Sequence, residues 1–488
     1  MPFNTLSFLF FFFIVAIGYY AVPGKLRWTW LFLSSCYFYI VFSYKYLAVV
    51  LLITLATYFL GLWIQKSAPL KKQAVFRFSL ICILFVFVFF KYAKLLNPLF
   101  ESLLAWKSNP SGPIFNIILP LGFSYFIFTI LSYLIEIKRG KIEAERHPGI
   151  LATALIFFPR IAQGPIERPY DLIPQFHRVN KLEYPVVIEG LKYMLWGFFK
   201  KLVIADRLGI YVNAVYETYP SQSGTTLLVA SIFYSIQNYT DFSSYTDIAI
   251  GAAKILGINL SVNFRRPYFS SSIKEFWSRW HITFTSWLRD YLFLPMAFFF
   301  SKRMKKQRYF NISAEKWIYL FSSLITFTIC GLWHGETWNF VVWGLLFALY
   351  LTFAVWMEKS NKAFRAKIGL SKKNRYYVFV KTILIFFLVT FTWIFFRSAT
   401  LHDAGNFIDR IFSSPGKLYI GEWQQFIYGV FGILLLLVIE IRQEFYTHID
   451  LPYKNPGWFR EQLVYISLIL LILMVGVFDG GQFIYFRF

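Results

Sequence analysis

Long apolar runs constrain the fold of this sequence more than any other feature. About 20 apolar residues in an α-helix cross the roughly 30 Å hydrocarbon core of a bilayer, where every backbone polar group must be bonded internally. Runs of this kind cover residues 5–22, 28–43, 45–64, 74–91, 114–137, 315–334, 338–357, 377–396, 423–442 and 463–479. The less regular region 148–300 is expected to add about two to four crossings or half-crossings. We therefore predict an all-α, polytopic membrane protein with about a dozen transmembrane or re-entrant helices.

The charged residues are few and lie mostly in loops. They make up 15% of the chain, against about 25% in soluble domains, so an ordinary soluble protein is excluded. The formal net charge is +24, with basic residues clustered in the loops 65–73, 138–146, 301–308 and 359–375. The positive-inside rule explains this pattern, and it places these loops in the cytoplasm and residue 1 outside. A nucleic-acid partner is therefore not expected.

The domain organisation is predicted to be simple. No Pro/Ser-rich linker divides the runs, so residues 1–488 are interpreted as one membrane domain, with N-terminal spans in 1–147, core segments in 148–357 and C-terminal spans in 358–488. The first run, 5–22, has no basic segment before it and is interpreted as a retained span rather than a cleaved signal peptide. The three cysteines lie in apolar runs without CxxC spacing, so neither a disulfide framework nor a zinc knuckle is predicted.

The stretch GLWHGETWN, residues 331–339, places polar side chains at the junction of two apolar runs. An ionisable group at membrane depth is costly and marks a functional site by default. His334 is therefore a candidate site residue, with Asn339 nearby in the sequence. Because both outer ends of this hairpin are expected in the cytoplasm, its tip is expected in the outer part of the bilayer or beyond.

Small and aromatic residues flank the same histidine. Gly331 and Gly335 are expected to let neighbouring backbones approach closely. Trp333 and Trp338 are of the type that concentrates at a membrane–water interface. The sequence thus predicts a tight helical hairpin with an interfacial, polar tip.

A second polar group of residues lies in the stretch 266–295, RPYFSSSIKEFWSRWHITFTSWLRDYLFLP. Ser272 and Glu275 have capping-box spacing, so a helix is predicted to begin at Ser272 and to end or kink at Pro295. Glu275 and Arg279 are four residues apart and can form an ion pair. The stretch carries too many charged residues for a span that faces lipid. We therefore expect this helix to lie at the membrane interface or to be enclosed by other helices.

His281 stands in this second stretch, beside tryptophans. By helical spacing it shares one face with Trp277 and Thr285. The alternative interpretation is a Trp-rich interfacial helix whose histidine is incidental. The remaining histidines lie in polar loops and are interpreted as ordinary surface residues: His147, His177, His402 and His448.

The stretch 237–264, QNYTDFSSYTDIAIGAAKILGINLSVNF, contains two aspartates with different interpretations. Ser244 and Asp247 have capping-box spacing, and Gly257 is of the type that ends a helix. Asp247 can therefore be interpreted equally well as a capping residue or as a site residue. Asp241 lacks that explanation and is a candidate to orient a histidine or a polar substrate.

A third stretch, FFPRIAQGPIERPYD at 157–171, breaks an apolar run with prolines and a glycine. This pattern is typical of a re-entrant segment. Membrane proteins tolerate such a segment only where protein or water covers the broken backbone.

Taken in order, these stretches resemble the membrane-bound O-acyltransferase family, most closely its bacterial alginate O-acetylation branch. The resemblance runs nearly end to end. It rests on FNTLSFLFFF, FFPRIAQGPI, GFFKKLVIADRL, YTDFSSYTDIAIGAAKILGINLSVNF, EFWSRWHITFTSWLRDYLFLP, GLWHGETWNFVVWGLLFALYL, TWIFFRSATLHDAGNFIDRIF and FIYFRF.

The resemblance implies a site, a donor and a location. It implies that His334 is the principal catalytic residue and His281 the second active-site histidine, with helices around a central tunnel open to both membrane faces. Asp241, Trp333, Asn339 and Trp277 are further candidates to line this tunnel. No bound cofactor or metal is expected.

The expected reaction moves an acetyl group out of the cytosol. The resemblance implies acetyl-CoA or another acyl thioester as the donor substrate, and residence as a multi-pass protein in the lipid of the bacterial cytoplasmic (inner) membrane. It implies an extracytoplasmic polysaccharide as the acceptor, reached directly or through an extracytoplasmic acetyltransferase partner protein. His334 is predicted to act as the base, because neutral imidazole takes up a proton near pH 7, and His281 to orient the donor or stabilise the oxyanion.

Other functional classes remain as alternatives. A polytopic transporter or flippase would also carry broken helices and intramembrane polar residues, but its characteristic repeats are not visible in the sequence. A non-catalytic scaffold of an exopolysaccharide export complex is a second alternative. A metal site built on His281, His334 and Asp241 is disfavoured because HExxH spacing is absent.

Overall fold

A computed structural model describes residues 1–92, 119–372, 374–447, 458–478 and residue 483. The first residues of the predicted run 114–137, the last residue of the run 463–479, His448 and most of the terminal FIYFRF lie outside the described residues. Backbone packing divides the chain into two compact units. The assignment of one membrane domain with three segments stays a prediction.

The first unit comprises residues 1–191 and 249–261. A 3₁₀ turn at Gly24–Leu26 joins its first two helices. Its α-helices are α1 (Leu6–Ala21), α2 (Arg27–Phe42), α3 (Tyr44–Lys66), α4 (Pro69–Lys91), α5 (Phe123–Arg139), α6 (Pro148–Ile156), α7 (Phe158–Ile161) and α8 (Pro169–Phe176). The boundary between the units falls inside the next helix, α9 (Tyr184–Phe199).

The predicted break at 157–171 is confirmed, and protein covers it. Residues 150–169 are buried although their backbone changes direction repeatedly. Arg160 donates hydrogen bonds to Ala154 O at 2.8 Å and to Thr129 Oγ1 at 3.1 Å. Glu167 accepts one from the Ser261 hydroxyl at 2.9 Å. Buried charges of this kind persist only when they are bonded, so this irregular segment is held by its own polar side chains.

The second unit comprises residues 192–248 and 262–488. It contains the π-helical segments Lys200–Ala205, Arg289–Phe293 and Gln443–Thr447 and the 3₁₀ turns Tyr219–Ser221 and Pro267–Phe269. Its short antiparallel strands are β1 (Arg308–Tyr309) and β2 (Ile312–Ser313). Its α-helices are α10 (Asp206–Glu217), α11 (Gly224–Ile255, to residue 248), α12 (Ile273–Arg279), α13 (Ile282–Leu288), α14 (Leu294–Arg303), α15 (Ala314–His334), α16 (Trp338–Trp356), α17 (Glu358–Lys367), α18 (Arg375–Arg397), α19 (Leu401–Ser413), α20 (Trp423–Arg442) and α21 (Trp458–Val475).

The expectation of an all-α, multi-pass membrane protein is confirmed. Among the described residues, six helical stretches are long and apolar enough to cross a bilayer: Tyr44–Lys66, Pro69–Lys91, Ala314–His334, Trp338–Trp356, Arg375–Arg397 and Trp423–Tyr446. Shorter apolar helices occur at Leu6–Ala21 and Glu461–Val475. Each corresponds to a run expected from hydropathy.

Helices α15 and α16 form the predicted hairpin, and their backbones touch. A Cβ atom placed on Gly331 would lie 2.2 Å from Phe340 O, and one on Gly344 would lie 2.1 Å from Phe327 O. At the other end of the hairpin, Lys316 donates a hydrogen bond to Trp356 O at 3.0 Å. The basic loops before α15 and after α16 therefore leave the hairpin at the same end, as the orientation argument requires.

Candidate active site

The predicted helix from Ser272 to Pro295 is not continuous, and the break falls at His281. Ser272 caps α12 as expected, accepting a hydrogen bond from Glu275 N at 3.1 Å. The predicted pair is also present, with Arg279 Nη2 at 2.8 Å from Glu275 Oε1. The helix then stops at Arg279, and α13 begins after two intervening residues, at Ile282. The prediction of one shared face for Trp277, His281 and Thr285 is therefore wrong.

His281 itself makes the break. Its backbone is left-handed, with φ 43° and ψ 53°, a conformation that costs a non-glycine residue about 1–3 kcal/mol. Long-range hydrogen bonds hold it there: Ile282 N donates to Asn263 O at 2.9 Å, and Arg265 N donates to Arg279 O at 2.9 Å. Strain that the surroundings impose in this way is a feature of functional sites.

The His281 ring is held by Asn263. Its Nδ1 lies 3.1 Å from Asn263 Oδ1. The same oxygen accepts hydrogen bonds from Thr283 N at 3.1 Å and Thr283 Oγ1 at 2.8 Å. Sequence reasoning missed Asn263, because it stands 18 residues before the histidine and nothing local marks the pairing. The sequence had singled out Asp241 instead, as a candidate to orient a histidine or a polar substrate.

Aromatic rings enclose His281. Its ring centroid lies 4.8 Å from that of Phe242, 6.2 Å from that of Phe264 and 4.9 Å from that of Phe284. The residue is 2% exposed and lies outside the six candidate spans. Burial lowers the pKa of His281 to about 3, because a charged imidazolium would be cut off from water. At neutral pH the ring is therefore uncharged.

His334 lies at the C-terminal end of α15 and is also enclosed by aromatic rings. The ring centroids of Trp333, Trp343 and Phe396 lie 4.5, 5.0 and 5.0 Å from that of its imidazole. The residue is 6% exposed. Phe340 packs directly against Gly331 and Gly335, where a side chain would leave no room for it. The packing of the hairpin therefore fixes the position of the histidine.

Phe284 connects the two histidines. Its ring centroid lies 4.9 Å from that of His281 and 6.4 Å from that of His334. It also lies 4.6 Å from that of Trp333. The two imidazoles, far apart in the sequence, are thus neighbours of one phenylalanine ring. Phe284 follows His281 by only three residues. Their contact was not predicted, because the expected continuous helix placed the two side chains on different faces.

The other candidate residues near the hairpin pack in different ways. Trp333 is buried, whereas Trp338 is exposed, and the position of both at a membrane interface stays a prediction. Trp277 packs against Phe327, with ring centroids 5.1 Å apart. Asn339 donates hydrogen bonds to Phe395 O at 3.2 Å and Ser398 O at 2.7 Å, at the end of α18. Asn339 therefore ties the hairpin tip to a neighbouring helix.

Asp241 and Asp247 both form ion pairs with buried lysines. Lys201 Nζ lies 2.7 Å from Asp241 Oδ1 and 2.8 Å from Asp206 Oδ1. Lys200 Nζ lies 2.7 Å from Asp247 Oδ2. The predicted cap at Ser244 is wrong, because α11 runs without interruption past this residue. Both lysines are buried and lie in the π-helical segment Lys200–Ala205, a type of helical irregularity that is frequent at functional sites.

The chemistry available at this site is that of two imidazoles in a largely apolar enclosure. A neutral imidazole can accept a proton from a hydroxyl group. A low-dielectric enclosure strengthens each hydrogen bond made inside it. The arrangement suits proton transfer coupled to attack on a carbonyl group.

Comparison with known proteins assigns the chain to a family. The family model described as membrane-bound O-acyltransferase, MBOAT, matches residues 33–398. The probable alginate O-acetylase AlgI of Pseudomonas syringae pv. tomato is 30% identical over 431 residues, covering 87% of this chain and 76% of the relative. The peptidoglycan O-acetyltransferase of Helicobacter pylori is 30% identical over 440 residues, covering 82% and 78%.

A more distant relative carries a different acyl group in its name. The teichoic acid D-alanyltransferase of Bacillus subtilis is 28% identical over 298 residues, covering 60% of this chain and 72% of the relative. The matched family region contains both histidines, Asn263 and Phe284. The chain is a multi-pass membrane O-acyltransferase, and it belongs to the membrane-bound O-acyltransferase family.

Proposed function

We propose that this protein transfers an acetyl group from acetyl-CoA towards an extracytoplasmic polysaccharide. Two kinds of relative support the acetyl group, since their names describe acetylation of alginate and of peptidoglycan. The enclosure of both histidines by aromatic rings suits a small acyl group.

The observation that carries the proposal is the position of Phe284 against both imidazoles. In the proposed step His334 removes the proton of an acceptor hydroxyl as its oxygen attacks the thioester carbonyl. The carbon–sulfur bond then breaks, and the departing thiolate takes up the proton. General-base assistance of this kind contributes typically 10²–10⁴-fold to the rate.

The proposed route crosses the bacterial cytoplasmic membrane. Acetyl-CoA is cytosolic, whereas the acceptor is outside, so donor and acceptor approach through a passage open at both faces. The acceptor is the polysaccharide itself or an extracytoplasmic acetyltransferase partner that passes the group on. The basic loops 301–308 and 359–375 are suited to attract the phosphates of the donor.

Transfer of label by purified protein tests this function. The protein in detergent is incubated with acetyl-labelled CoA and an acceptor oligosaccharide, with and without candidate partner proteins. We expect His334→Ala to lose at least about 100-fold in transfer rate while it still purifies as a folded protein. The matched control is His402→Ala, which alters an exposed histidine and should leave the rate unchanged.

The outcomes separate the alternatives. Covalent transfer in detergent, where no sealed compartment exists, excludes a pure transporter. Retained turnover in His334→Ala would remove this residue from the role of base. Label transferred only from a D-alanyl thioester would contradict the proposed acetyl group and favour the chemistry named for the Bacillus relative.

A further inference from the structure

We infer that Asn263 is a positioning residue that holds His281 as the tautomer with its proton on Nδ1, which leaves Nε2 able only to accept a hydrogen bond. This inference rests on the proposed function, in which His281 belongs to the reaction site.

The identity of the Asn263 atom that faces the ring follows from Thr283. Amide oxygen and nitrogen are assigned from hydrogen bonds rather than seen directly. Thr283 N carries a hydrogen and can only donate, and it lies 3.1 Å from Asn263 Oδ1. A flipped amide would direct two donors at each other, so the facing atom is the oxygen.

The tautomer of His281 follows from that oxygen. Asn263 Oδ1 can only accept, so the nitrogen 3.1 Å away, His281 Nδ1, must donate. A neutral imidazole carries one N–H, and here it is on Nδ1. Nε2 is then unprotonated and can only accept a hydrogen bond.

This protonation state changes the role expected for His281. Sequence reasoning left two roles open, orientation of the donor and stabilisation of the oxyanion. An oxyanion requires a hydrogen-bond donor, which Nε2 is not in this tautomer. Towards the substrate, Nε2 can serve only as the acceptor for an N–H or O–H group. Two such groups belong to the proposed reaction: an amide of the pantetheine arm of acetyl-CoA and the acceptor hydroxyl.

The surroundings keep His281 in this state. The ring lies between Phe242 and Phe284 and is 2% exposed, so a second proton would be poorly solvated. The backbone at Asn263 is bonded to Ile282 N. The carbonyl oxygen and the amide oxygen of Asn263 thus fix the backbone and the ring of the same turn.

Substitutions at Asn263 separate this role from simple packing. Asn263→Leu removes the acceptor, and we expect transfer to fall by about 10-fold or more, the scale of losing one hydrogen bond to a reacting group. Asn263→Asp keeps the acceptor and adds a negative charge beside the ring, which favours the imidazolium. We expect this variant to keep its activity at high pH. On acidification, it should lose activity at a pH about 1–3 units higher than the pH at which the wild type loses it.

Thr283→Val is the matched control. It removes the hydroxyl bond to Asn263 Oδ1 but leaves the ring nitrogen its acceptor. We expect a smaller loss of activity than in Asn263→Leu and no displacement of the pH profile. An unshifted profile in Asn263→Asp, or equal losses in all three folded variants, would overturn the positioning role.

Nitrogen NMR of the histidine-labelled protein reads the tautomer without any turnover. The His281 signals are assigned by their loss in His281→Ala. We expect Nδ1 to be protonated and Nε2 unprotonated in the wild type, with this preference lost in Asn263→Leu. A wild-type ring protonated on Nε2 would overturn the inference.

Added substrates identify the group that Nε2 contacts. A shift of the Nε2 signal with CoA alone assigns the bond to the pantetheine arm, and a shift with the acceptor alone assigns it to the hydroxyl. A response to neither would contradict a role at the substrate. If the tautomer is as inferred but no acetyl group is transferred, the proposed function fails and the tautomer assignment stands.

Discussion

At the scale of single residues, His281 combines a buried ring with a left-handed backbone. Its φ of 43° is a conformation that glycine adopts freely and other residues do not. The hydrogen bonds from Ile282 and Arg265 impose this conformation from outside the residue. The backbone and the ring of His281 can therefore be tested separately.

We predict that His281→Gly is more stable than His281→Ala by up to about 1 kcal/mol, because only alanine must bear the left-handed strain. Both variants lack the ring and should be equally impaired in transfer. Thermal unfolding in detergent measures the difference. Thr285→Gly and Thr285→Ala, inside α13, are the control pair, for which alanine should be the more stable. If the alanine variant were the more stable at both positions, the left-handed strain at His281 would be contradicted.

Local signals predicted part of this site. The cap at Ser272 and the pair of Glu275 with Arg279 were predictable because both depend on residues three or four apart in one helix. Asn263 was not, because its bond to His281 depends on a turn formed between distant segments. The role of each predicted tunnel residue stays a prediction.

At the scale of elements, the hairpin of α15 and α16 fixes the position of His334. Its helices approach through glycines, with Gly344 against the backbone of Phe327. Residue type and hydropathy predicted both helices within two residues, since each is a continuous apolar run. The break between α12 and α13 was not predictable, because no glycine or proline marks it in the sequence.

We predict that Gly344→Ala destabilises the protein by about 1–3 kcal/mol, because its methyl group would displace the backbone of Phe327 and separate the helices. Transfer should fall too, since His334 lies on α15. The control is Gly405→Ala in α19, where nothing lies within 4 Å of the new methyl group. That change should be neutral or stabilising by about 1 kcal/mol. Equal thermal stability of the two variants would contradict this packing.

At the scale of the whole molecule, hydropathy predicted the fold class and the approximate bounds of the long apolar helices. The run 423–442 coincides with α20, and 28–43 differs from α2 by one residue at each end. Region 148–300 was predictable only in outline, since its helices are short, polar or broken. Their course depends on buried ion pairs such as that of Lys201 with Asp241, which join residues 40 positions apart.

A double-variant cycle on the two imidazoles tests most directly whether they serve one reaction. Acetyl transfer from labelled acetyl-CoA is measured for His334→Ala, His281→Ala and the double variant under identical conditions. Residues that act as a unit give strongly non-additive losses, so we predict that the double variant is no slower than His334→Ala alone. Losses that multiply, or a His334→Ala variant with wild-type turnover, would contradict a single site around Phe284.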